Sequence, residues 1–350
     1  MTTAAPVRRL RDRVAQLAEL VATPLVPADF VDLVDPLRNS AQLRARILSI
    51  TPETEDAATI ELKPGRGWRG HTPGQYVRLG VEVDGVRQWR AYSVTSFTAS
   101  TFTITVKAIP DGVVSNYLVR SACTGTVVQL DQAAGDFVVP PAQPAKALFV
   151  TAGSGITPVM GILRATALAD VVLVHSAPTS EDVIFAAELR ALAAERRIRL
   201  VEKHTDTDGM LSTGELAALV PDLAEREAWA CGPIGMLDAL EDWWPTDRLH
   251  TERFRPSVLV TGAGGAVTFA RTGTTVVADG ATPLLDAGEA AGVLMPSGCR
   301  MGICFGCVLP LREGAVRDLR TGDITTAALG DGVLIQPCIS AAAGPCDLDV

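Results

Sequence analysis

Four cysteines near the C-terminus have the types and spacing for metal chemistry. Cys299, Cys304 and Cys307 share one loop in the order C-x4-C-x2-C, and Cys338 follows alone thirty residues later. Thiolates at this spacing suit a 2Fe–2S cluster of the plant type. Such a cluster carries one electron at a time, so a source of electrons is expected elsewhere in the chain.

Zinc is the main alternative for a site made only of cysteines. Structural zinc sites usually bring their ligands as two closely spaced pairs, whereas three of these ligands crowd the single loop PSGCRMGICFGC. Gly298, Gly302 and Gly306 punctuate that loop. They leave room beside the metal and let backbone N–H groups turn toward sulfur. We therefore predict an iron–sulfur cluster at this loop.

The composition is that of a globular protein with two or three domains. The chain has 350 residues, of which 47% are hydrophobic and 20% charged. No apolar run approaches the roughly twenty residues that cross a bilayer, and Gln16 and Glu19 interrupt the only candidate secretion signal. The net charge of −9 argues against nucleic acid as a partner. We expect a cytoplasmic protein whose remaining cysteines, Cys123, Cys231 and Cys346, form no disulfides.

The hydrophobic pattern changes three times along the chain. An amphipathic helix with apolar Leu10, Val14, Leu17 and Val21 comes first, then short alternating runs such as TFTITVKAI, then strands alternating with helices, then short strands again. These patterns predict an antiparallel barrel, a parallel sheet with helices on both faces, and a small mixed domain. The predicted boundaries are 1–40 for a helical extension, 41–141 for the barrel, 142–255 for the α/β domain, 256–262 for a linker and 263–350 for the cysteine domain.

Two segments of the predicted barrel are candidates for binding a phosphorylated aromatic cofactor. Arg90-Ala91-Tyr92-Ser93 closes a strand, and a glycine loop follows at Gly112-Val113-Val114-Ser115-Asn116. An arginine and a serine-bearing loop can hold a pyrophosphate, and a tyrosine can lie flat on an aromatic ring. Taken alone, RAYS is a weak signal, because an exposed strand that binds no cofactor can contain the same four residues.

Two turns of the predicted α/β domain are candidates for binding a nucleotide. Gly153-Ser154-Gly155-Ile156-Thr157-Pro158 leads from a strand into a helix, whose free N–H groups suit a phosphate. Ala230-Cys231-Gly232-Pro233 joins a later strand to its helix. Strand ends of this kind border the ligand cleft of a doubly wound sheet. A tight turn and a core cysteine without ligands are the alternatives.

The order of these motifs resembles the ferredoxin–NADP reductase superfamily with a plant-type ferredoxin domain fused at the C-terminus. The resemblance covers residues 41–350 and implies FAD in the barrel, NAD(P)H in the α/β domain and a β-grasp fold for the cysteine domain. It implies that Ser93, Cys231 and Glu252 serve catalysis near the flavin and nicotinamide. It also implies cofactor contacts for Arg90, Ala91, Tyr92, Gly112, Val114, Ser115, Asn116, Gly153, Ser154, Gly155, Thr157, Ser176, Gly232, Pro233 and Phe254, and cluster ligation by Cys299, Cys304, Cys307 and Cys338.

The resemblance implies electron flow from NAD(P)H to FAD, then to the cluster, then to another protein. LVATPLVPADFVDLVDPL in the extension is similar to the leader of actinobacterial reductases of membrane acyl-CoA desaturases. We therefore expect such a desaturase as the partner and NADPH as the coenzyme, with NADH as the alternative, at a cytoplasmic site peripheral to the membrane through that partner. Reduction of a cytochrome P450 or ring-hydroxylating oxygenase is the alternative function. A flavin and iron–sulfur redox sensor is a candidate from a different class.

The charge of the cysteine domain has two interpretations. Residues 263–350 carry nine Asp and Glu against five Arg, a local balance of −4. A mildly acidic electron carrier can be steered to a basic patch on its acceptor. Plain solubility explains the same charge.

Overall fold

A computed structural model describes residues 35–38, 42–83, 85–110, 112–254, 262–298, 300–302 and 305–350. The predicted N-terminal helix, Asp84 and two cluster cysteines, Cys299 and Cys304, lie outside the described residues. Within the described ranges the chain folds into a closed barrel, a parallel sheet and a mixed sheet. This is the multidomain fold that the hydrophobic pattern predicts.

The barrel is antiparallel and its strands follow the order β1-β2-β5-β4-β3-β6, with β6 closing against β1. Alternate side chains such as Ile60 and Leu62 are fully buried in its core. A short helix, α1, and the π-helical turn that continues it cover this core with Val114 and Leu118. The bounds are β1 Arg44–Thr54, β2 Ala57–Pro64, β3 Tyr76–Val83, β4 Val86–Phe97, β5 Phe102–Lys107, β6 Val127–Leu130, α1 Val113–Asn116 and the π turn Tyr117–Ser121.

The second sheet is entirely parallel and has the order β11-β10-β7-β8-β9. A Ser212 side chain that accepts from the backbone N–H of Glu215 caps the start of one of its helices. The bounds are β7 Ala147–Ala152, α2 Ile156–Ala165, β8 Val171–Ala177, α3 Ala186–Ala194, β9 Arg199–His204, α4 Thr205–Asp208, α5 Thr213–Leu219, β10 Glu227–Cys231, α6 Ile234–Trp243 and β11 Leu249–Glu252.

Both faces of this sheet are buried. Along β7, Phe149 packs into the core on one face, while Leu148 and Val150 pack into the core on the other. Strands buried on both sides read as continuous apolar runs, as KALFVTAG does. Helices therefore cover both faces, and the loops at the carboxyl ends of the strands are left as the open edge.

The third sheet follows the order β13-β12-β17-β14-β15, with β16 paired to β14. Its first and last strands, β12 and β17, run parallel side by side, and α7 packs on the same core through Leu284. This mixed sheet with one crossing helix matches the predicted β-grasp domain. The bounds are β12 Gly262–Phe269, β13 Thr274–Gly280, α7 Leu284–Ala290, β14 Leu309–Asp318, β15 Ile324–Ala327, β16 Leu334–Ile335 and β17 Ser340–Leu348.

Helix α2 joins the barrel to the α/β domain. A Cβ on Gly161 would lie 2.3 Å from the carbonyl oxygen of Val94 on β4, so the two backbones touch where no side chain fits. Arg164 donates to the Thr95 carbonyl at 3.0 Å and to Glu188 at 2.9 Å. The helix that begins at the predicted nucleotide loop is thereby held against the strand that carries Ser93.

In the described ranges, no helix is both long and apolar enough to cross a membrane.

Candidate functional site

Strand β4 presents the residues expected to hold the flavin. Ser93 is 3% exposed, and its hydroxyl has no hydrogen-bond partner among the described residues. Buried polar atoms are normally paired, so an orphan hydroxyl indicates a missing partner. Burial raises the pKa of the neighbouring Tyr92 phenol. A neutral aromatic ring beside an unpaired hydroxyl suits the flat, hydrogen-bonding ring system of a flavin.

Arg90 is the first of these β4 residues, and its guanidinium has more N–H groups than its hydrogen bonds within the protein use. It donates to the Trp89 carbonyl at 2.9 Å and to the Gln88 side chain at 3.0 Å, which leaves other guanidinium N–H groups for a ligand. Burial, followed by the nearby charge of Arg300, lowers its pKa to about 10. A partly buried guanidinium that faces another cation gains from an anionic ligand such as a pyrophosphate.

The loop before α1 holds itself together with the side chains that the sequence assigned to phosphate. The Ser115 hydroxyl donates to the Gly112 carbonyl at 3.1 Å, and the Asn116 amide donates to the carbonyls of Gly112 and Ile109 at 2.9 Å. A Cβ on Gly112 would lie 2.4 Å from the Ser115 Oγ atom. Contact with a phosphate at this loop would therefore come from backbone N–H groups at the helix start, near the buried Val114, rather than from the serine hydroxyl.

The nucleotide loop is held against the end of strand β10. A Cβ on Gly155 would lie 2.0 Å from the carbonyl oxygen of Cys231, and one on Gly232 would lie 3.2 Å from the Ala152 side chain. The Thr157 hydroxyl donates to the Ser154 carbonyl at 2.9 Å and so closes the turn. Gly153 has φ +53 and open space around it. This loop leaves backbone N–H groups of the helix start open for a dinucleotide phosphate, with Pro233 starting the neighbouring turn.

Cys231 and Glu252 face each other across two strands. They are register partners on β10 and β11, and the carboxylate contributes to raising the pKa of the fully buried thiol, after burial itself. Burial also raises the pKa of Glu252 to about 8, and its Oε2 atom has no partner among the described residues. Phe254, 40% exposed, follows two residues later. A protonated carboxyl beside a neutral thiol forms an uncharged pocket wall at neutral pH.

Helix α2 brings this pair toward the flavin strand. Cys231 is packed against Gly155 and Val94 against Gly161, six residues further along the same helical segment, a rise of about 9 Å. On the barrel side, a Cβ on Gly135 would lie 3.9 Å from Glu252 Oε1 and 3.0 Å from the Tyr76 ring. The two domains therefore meet along α2, which contacts the strand that carries Ser93 and the strand end that carries Cys231, and Glu252 lies near the barrel at Gly135.

The raised pKa of Glu252 predicts a pH dependence of stability. The carboxyl has a pKa of about 8 in the fold against 4.5 ordinarily, so the unfolded chain releases its proton first and stability falls as pH rises between these values. We expect the free energy of unfolding of Glu252→Gln to match that of the wild type near pH 4.5 and to exceed it by on the order of 2 kcal/mol at pH 8. Each pKa unit corresponds to about 1.4 kcal/mol, and residual solvent contact reduces the total.

Denaturant unfolding of the FAD-loaded proteins between pH 4.5 and 8 measures this difference. Glu195→Gln, at an exposed carboxylate, is the control and is expected to follow the wild-type curve. A difference between Glu252→Gln and wild type that stays constant with pH would contradict the assignment.

The end of strand β8 lies where the ribose of a dinucleotide binds in this class of sheet. Ser176 is 4% exposed, with a hydroxyl that is unpartnered among the described residues. Its register partner Lys203 donates to Glu215 at 2.7 Å and to the Asp208 carbonyl at 3.1 Å. Met210 is 73% exposed. The serine is thus open to a ligand, while the lysine charge is already shared with a carboxylate.

Two of the four cluster cysteines are described, and their sulfur atoms are neighbours. Cys307 and Cys338 are 1% and 3% exposed, and their Sγ atoms lie 3.2 Å apart. A disulfide would bring them to about 2.05 Å. The thiol of Cys338 holds the pKa of Cys307 well below its ordinary value, at about 6. Converging, easily ionised thiols suit a metal cluster.

The cluster loop is shaped by left-handed backbone. Gly302 has φ +74, and a Cβ there would lie 2.7 Å from Arg320 and 2.8 Å from Ile339. Arg300 and Phe305 also have positive φ, of 60° and 55°. Arg300 binds Asp286 at 2.8 Å and also Glu289, which ties the loop to helix α7.

The electrostatics link the cluster loop to the flavin strand. The guanidinium of Arg300 in the cysteine loop acts on Arg90, and so do the carboxylates of Glu289 and Asp286. The third domain therefore turns its cluster side toward the barrel. A barrel, a parallel sheet with a nucleotide loop and a pair of converging thiols in this arrangement fit a flavin-dependent oxidoreductase with an iron–sulfur cluster.

Comparison with known families gives the same three parts in the same order. The oxidoreductase FAD-binding domain family matches residues 45–138, the oxidoreductase NAD-binding domain family matches residues 149–242, and the 2Fe-2S iron-sulfur cluster binding domain family matches residues 267–342. The chain therefore uses FAD, NAD(P)H and a 2Fe–2S cluster, and the zinc alternative is excluded.

Similar proteins share nearly the full length of the chain. It is 48% identical to an NADPH oxidoreductase of Mycobacterium tuberculosis, over 96% of this chain and 91% of that protein. It is 31% identical to the NADH oxidoreductase HCR of Escherichia coli, over 85% and 94%. A structure of phthalate dioxygenase reductase has the same fold, with a TM-score of 0.61, 22% identity and coverage of 88% and 97%. The chain belongs to the ferredoxin–NADP reductase superfamily, in the branch with a C-terminal 2Fe–2S domain, and is an NAD(P)H oxidoreductase.

Several residues that shape the site were not predicted from the sequence. Gly161 and Gly135 bring the two domains together, and Thr151 bonds to the buried His175 at 2.8 Å behind the nucleotide loop. A glycine inside a helical pattern, as at Gly161, was the one available signal. The other contacts depend on which strands become neighbours, which local patterns do not reveal.

Proposed function

We propose that the protein carries electrons from NADPH through FAD and the cluster to a separate oxygen-activating protein, a membrane acyl-CoA desaturase. When bound, FAD takes hydride from the nicotinamide and returns single electrons to the cluster. The residues of this chain would do the positioning: Arg90 and the start of α1 for the flavin phosphates, Gly155 and Cys231 for the nicotinamide nucleotide, and the four cysteines for the cluster. We also propose that the domains divide after residues 141, 255 and 262.

The observation that carries the proposal is the pair of buried polar atoms of Ser93 and Glu252, unpartnered among the described residues, on strands of two domains that meet along α2. The uncharged wall that Glu252 forms with Cys231 at neutral pH suits the apolar stacking of two ring systems, and the two unpartnered atoms await ligands. A redox sensor does not need a site that oxidises NADPH in repeated turnovers. The similarity to the 48% identical relative extends into the N-terminal segment, since a match over 96% of the chain includes most of residues 1–40.

The second candidate is reduction of a soluble oxygenase. It is favoured by the names of similar proteins, among them the ferredoxin reductase component of 3-ketosteroid-9-alpha-monooxygenase of Mycolicibacterium smegmatis, 30% identical over 87% of this chain. In both cases the protein would work in the cytoplasm and would touch a membrane only through its partner.

Turnover with and without a partner tests the proposal. Purified holoprotein should reduce ferricyanide and cytochrome c with NADPH but transform no lipid or aromatic substrate alone. Adding desaturase-containing membranes and a saturated acyl-CoA should start desaturation. Turnover only with a P450 or a ring-hydroxylating oxygenase would favour the second candidate. Substrate turnover without a partner would refute both, and slow NADPH oxidation with reduction-dependent partner binding would indicate a sensor.

Coenzyme preference is a separate expected result. No acidic residue stands at the strand end His175-Ser176-Ala177 to hold a ribose hydroxyl and repel a 2′-phosphate, and the buried Ser176 hydroxyl is free for a ligand. We expect kcat/KM to favour NADPH over NADH, and Ser176→Asp to shift the ratio toward NADH about tenfold or more through repulsion of the phosphate. Steady-state kinetics with both coenzymes measure this. Ser180→Asp, at an exposed loop position, is the control, and a wild-type preference for NADH would contradict the expectation.

A further inference from the structure

A groove lies on the surface of the third domain directly beside the cluster cysteines. Three of its lining residues, Phe305, Val308 and Ile339, each follow a cluster cysteine in the sequence, namely Cys304, Cys307 and Cys338. Leu334 and Ile335 complete its apolar wall, and Asp318, Thr325, Gln336 and Ser340 its polar one. We call this surface the cluster groove. Its volume is about 370 Å³, enough for a few inserted side chains.

Phe305 is exposed at the edge of the cluster groove. Its side chain is 67% exposed, and Leu334, which also lines the groove, is 63% exposed. Phe305 also has φ 55, a left-handed conformation that is unfavourable for a bulky residue. The turn of the loop around the cluster explains that backbone but not the exposed ring. Exposed apolar side chains gathered at one place indicate a contact surface.

The cluster groove is not an acidic docking surface. Most carboxylates of the third domain are already bound within the domain. Asp286 and Glu289 bind Arg300, Asp318 binds Arg320, Asp347 binds Arg312, Asp349 binds Arg271, and Asp279 and Asp331 accept backbone N–H groups. These Arg residues are already counted in the local balance of −4, so the domain keeps that charge. Among the described residues, Asp318 is the one carboxylate that lines the cluster groove, and it is paired with Arg320, so the groove itself offers no unpaired acidic side chain to a basic acceptor.

We propose that the electron-accepting protein docks on the cluster groove by inserting an apolar side chain against Phe305 and Leu334, so that apolar burial rather than ion pairing holds the contact. The inference rests on the proposed function, because it needs a protein acceptor. The position of the groove favours that occupant, because an acceptor bound there would contact residues that directly follow three of the cluster cysteines in the sequence.

Size and charge distinguish this occupant from two others. A stable interface with a second copy needs about 20–30 residues a side, and only nine described residues line the groove. A brief encounter that must separate after each electron suits a small apolar contact. None of the lining residues is Lys or Arg, so the groove offers no attraction to anionic lipid.

The variant Phe305→Asn tests the proposal in the FAD- and cluster-loaded protein. Asparagine tolerates left-handed backbone, so it removes the ring while keeping the loop. With desaturase-containing membranes as the probe, we expect the apparent KM for the acceptor to rise about tenfold or more, the effect of losing one buried aromatic side chain. NADPH–ferricyanide activity and the visible spectrum should be unchanged. Phe305→Tyr should stay near wild type.

Val277→Asn supplies the control, since Val277 is 89% exposed on β13 of the same domain but does not line the groove. Wild-type KM should change less than about twofold between 50 and 300 mM NaCl, because an apolar contact is not screened. An unchanged KM in Phe305→Asn, or a steep salt dependence, would overturn the docking mode while leaving the proposed function intact. A dimer in solution that Phe305→Asn dissociates would make a second copy the occupant. If the wild type drives no desaturase, P450 or ring-hydroxylating oxygenase, the proposed function fails and this inference with it.

Discussion

Cys338→Ser should stop electron delivery to cytochrome c while NADPH-dependent ferricyanide reduction continues. Cys338 is one of two described cysteines whose sulfurs converge, at 3.2 Å, and an alcohol does not replace a thiolate ligand of iron. We expect cytochrome c reduction to fall about 100-fold or more, because loss of a ligand removes the cluster while the flavin and nicotinamide sites lie in other domains. Iron and sulfide analysis and both dye assays measure this.

Cys346→Ser is the matched control for that experiment. Cys346 is also a buried cysteine of the third domain, 5% exposed, and burial raises its pKa to about 11. It lies on β17 beside Gly314, away from the cluster loop. Its replacement should keep iron, sulfide and cytochrome c activity. Equal loss of iron in both variants would mean that the domain fails to fold, and intact cytochrome c activity in Cys338→Ser would refute ligation by Cys338.

Gly155→Ala should abolish productive coenzyme binding. A methyl group at this position would lie 2.0 Å from the Cys231 carbonyl oxygen and 2.9 Å from the Gly232 nitrogen, and neither backbone atom can turn aside. The nucleotide loop must shift away from β10, which misplaces the nicotinamide. We expect kcat/KM for NADPH to fall about 100-fold or more, since a misplacement of about 1 Å costs that much in rate, together with a loss of roughly 1–3 kcal/mol of stability from overpacking.

Gly214→Ala provides the contrast. Gly214 lies in helix α5 with nothing within 4 Å of an added Cβ, so alanine should leave kcat/KM unchanged and stabilise the helix by up to about 1 kcal/mol. Rapid-mixing flavin reduction and thermal unfolding of both variants measure the difference. Normal flavin reduction in Gly155→Ala would show that the close contact with Cys231 is not needed for coenzyme binding.

The sequence predicted most of the fold because its local patterns agree with the final packing. Continuous apolar runs such as KALFVTAG became strands buried on both faces, and in GSGITP the residues GSG form a short turn while ITP begins helix α2. The same agreement made the order of the three domains predictable. The 2Fe–2S cluster was also predictable, since the spacing of its cysteines excludes most other sites.

What the sequence did not reveal depends on contacts between segments that are separated along the chain. The pKa of Glu252 and the pairing of Lys203 with Glu215 arise only when distant segments meet. Ser115 shows another limit: the motif places it in the loop but does not reveal that its hydroxyl donates to the Gly112 carbonyl, and its contact with a phosphate stays a prediction. The N-terminal helix and the roles of Cys299 and Cys304 remain predictions, since they lie outside the described residues.

The parallel pairing of β12 with β17 has a consequence for how this type of protein diversifies. The first and last strands of the third domain lie side by side, so its sheet is complete in itself and shares no described strand with the other two sheets. A recombination event near the linker could replace this domain without breaking a single strand pair. Acceptor choice can then change by exchange of one module, while the domains that handle NAD(P)H and flavin are inherited unaltered.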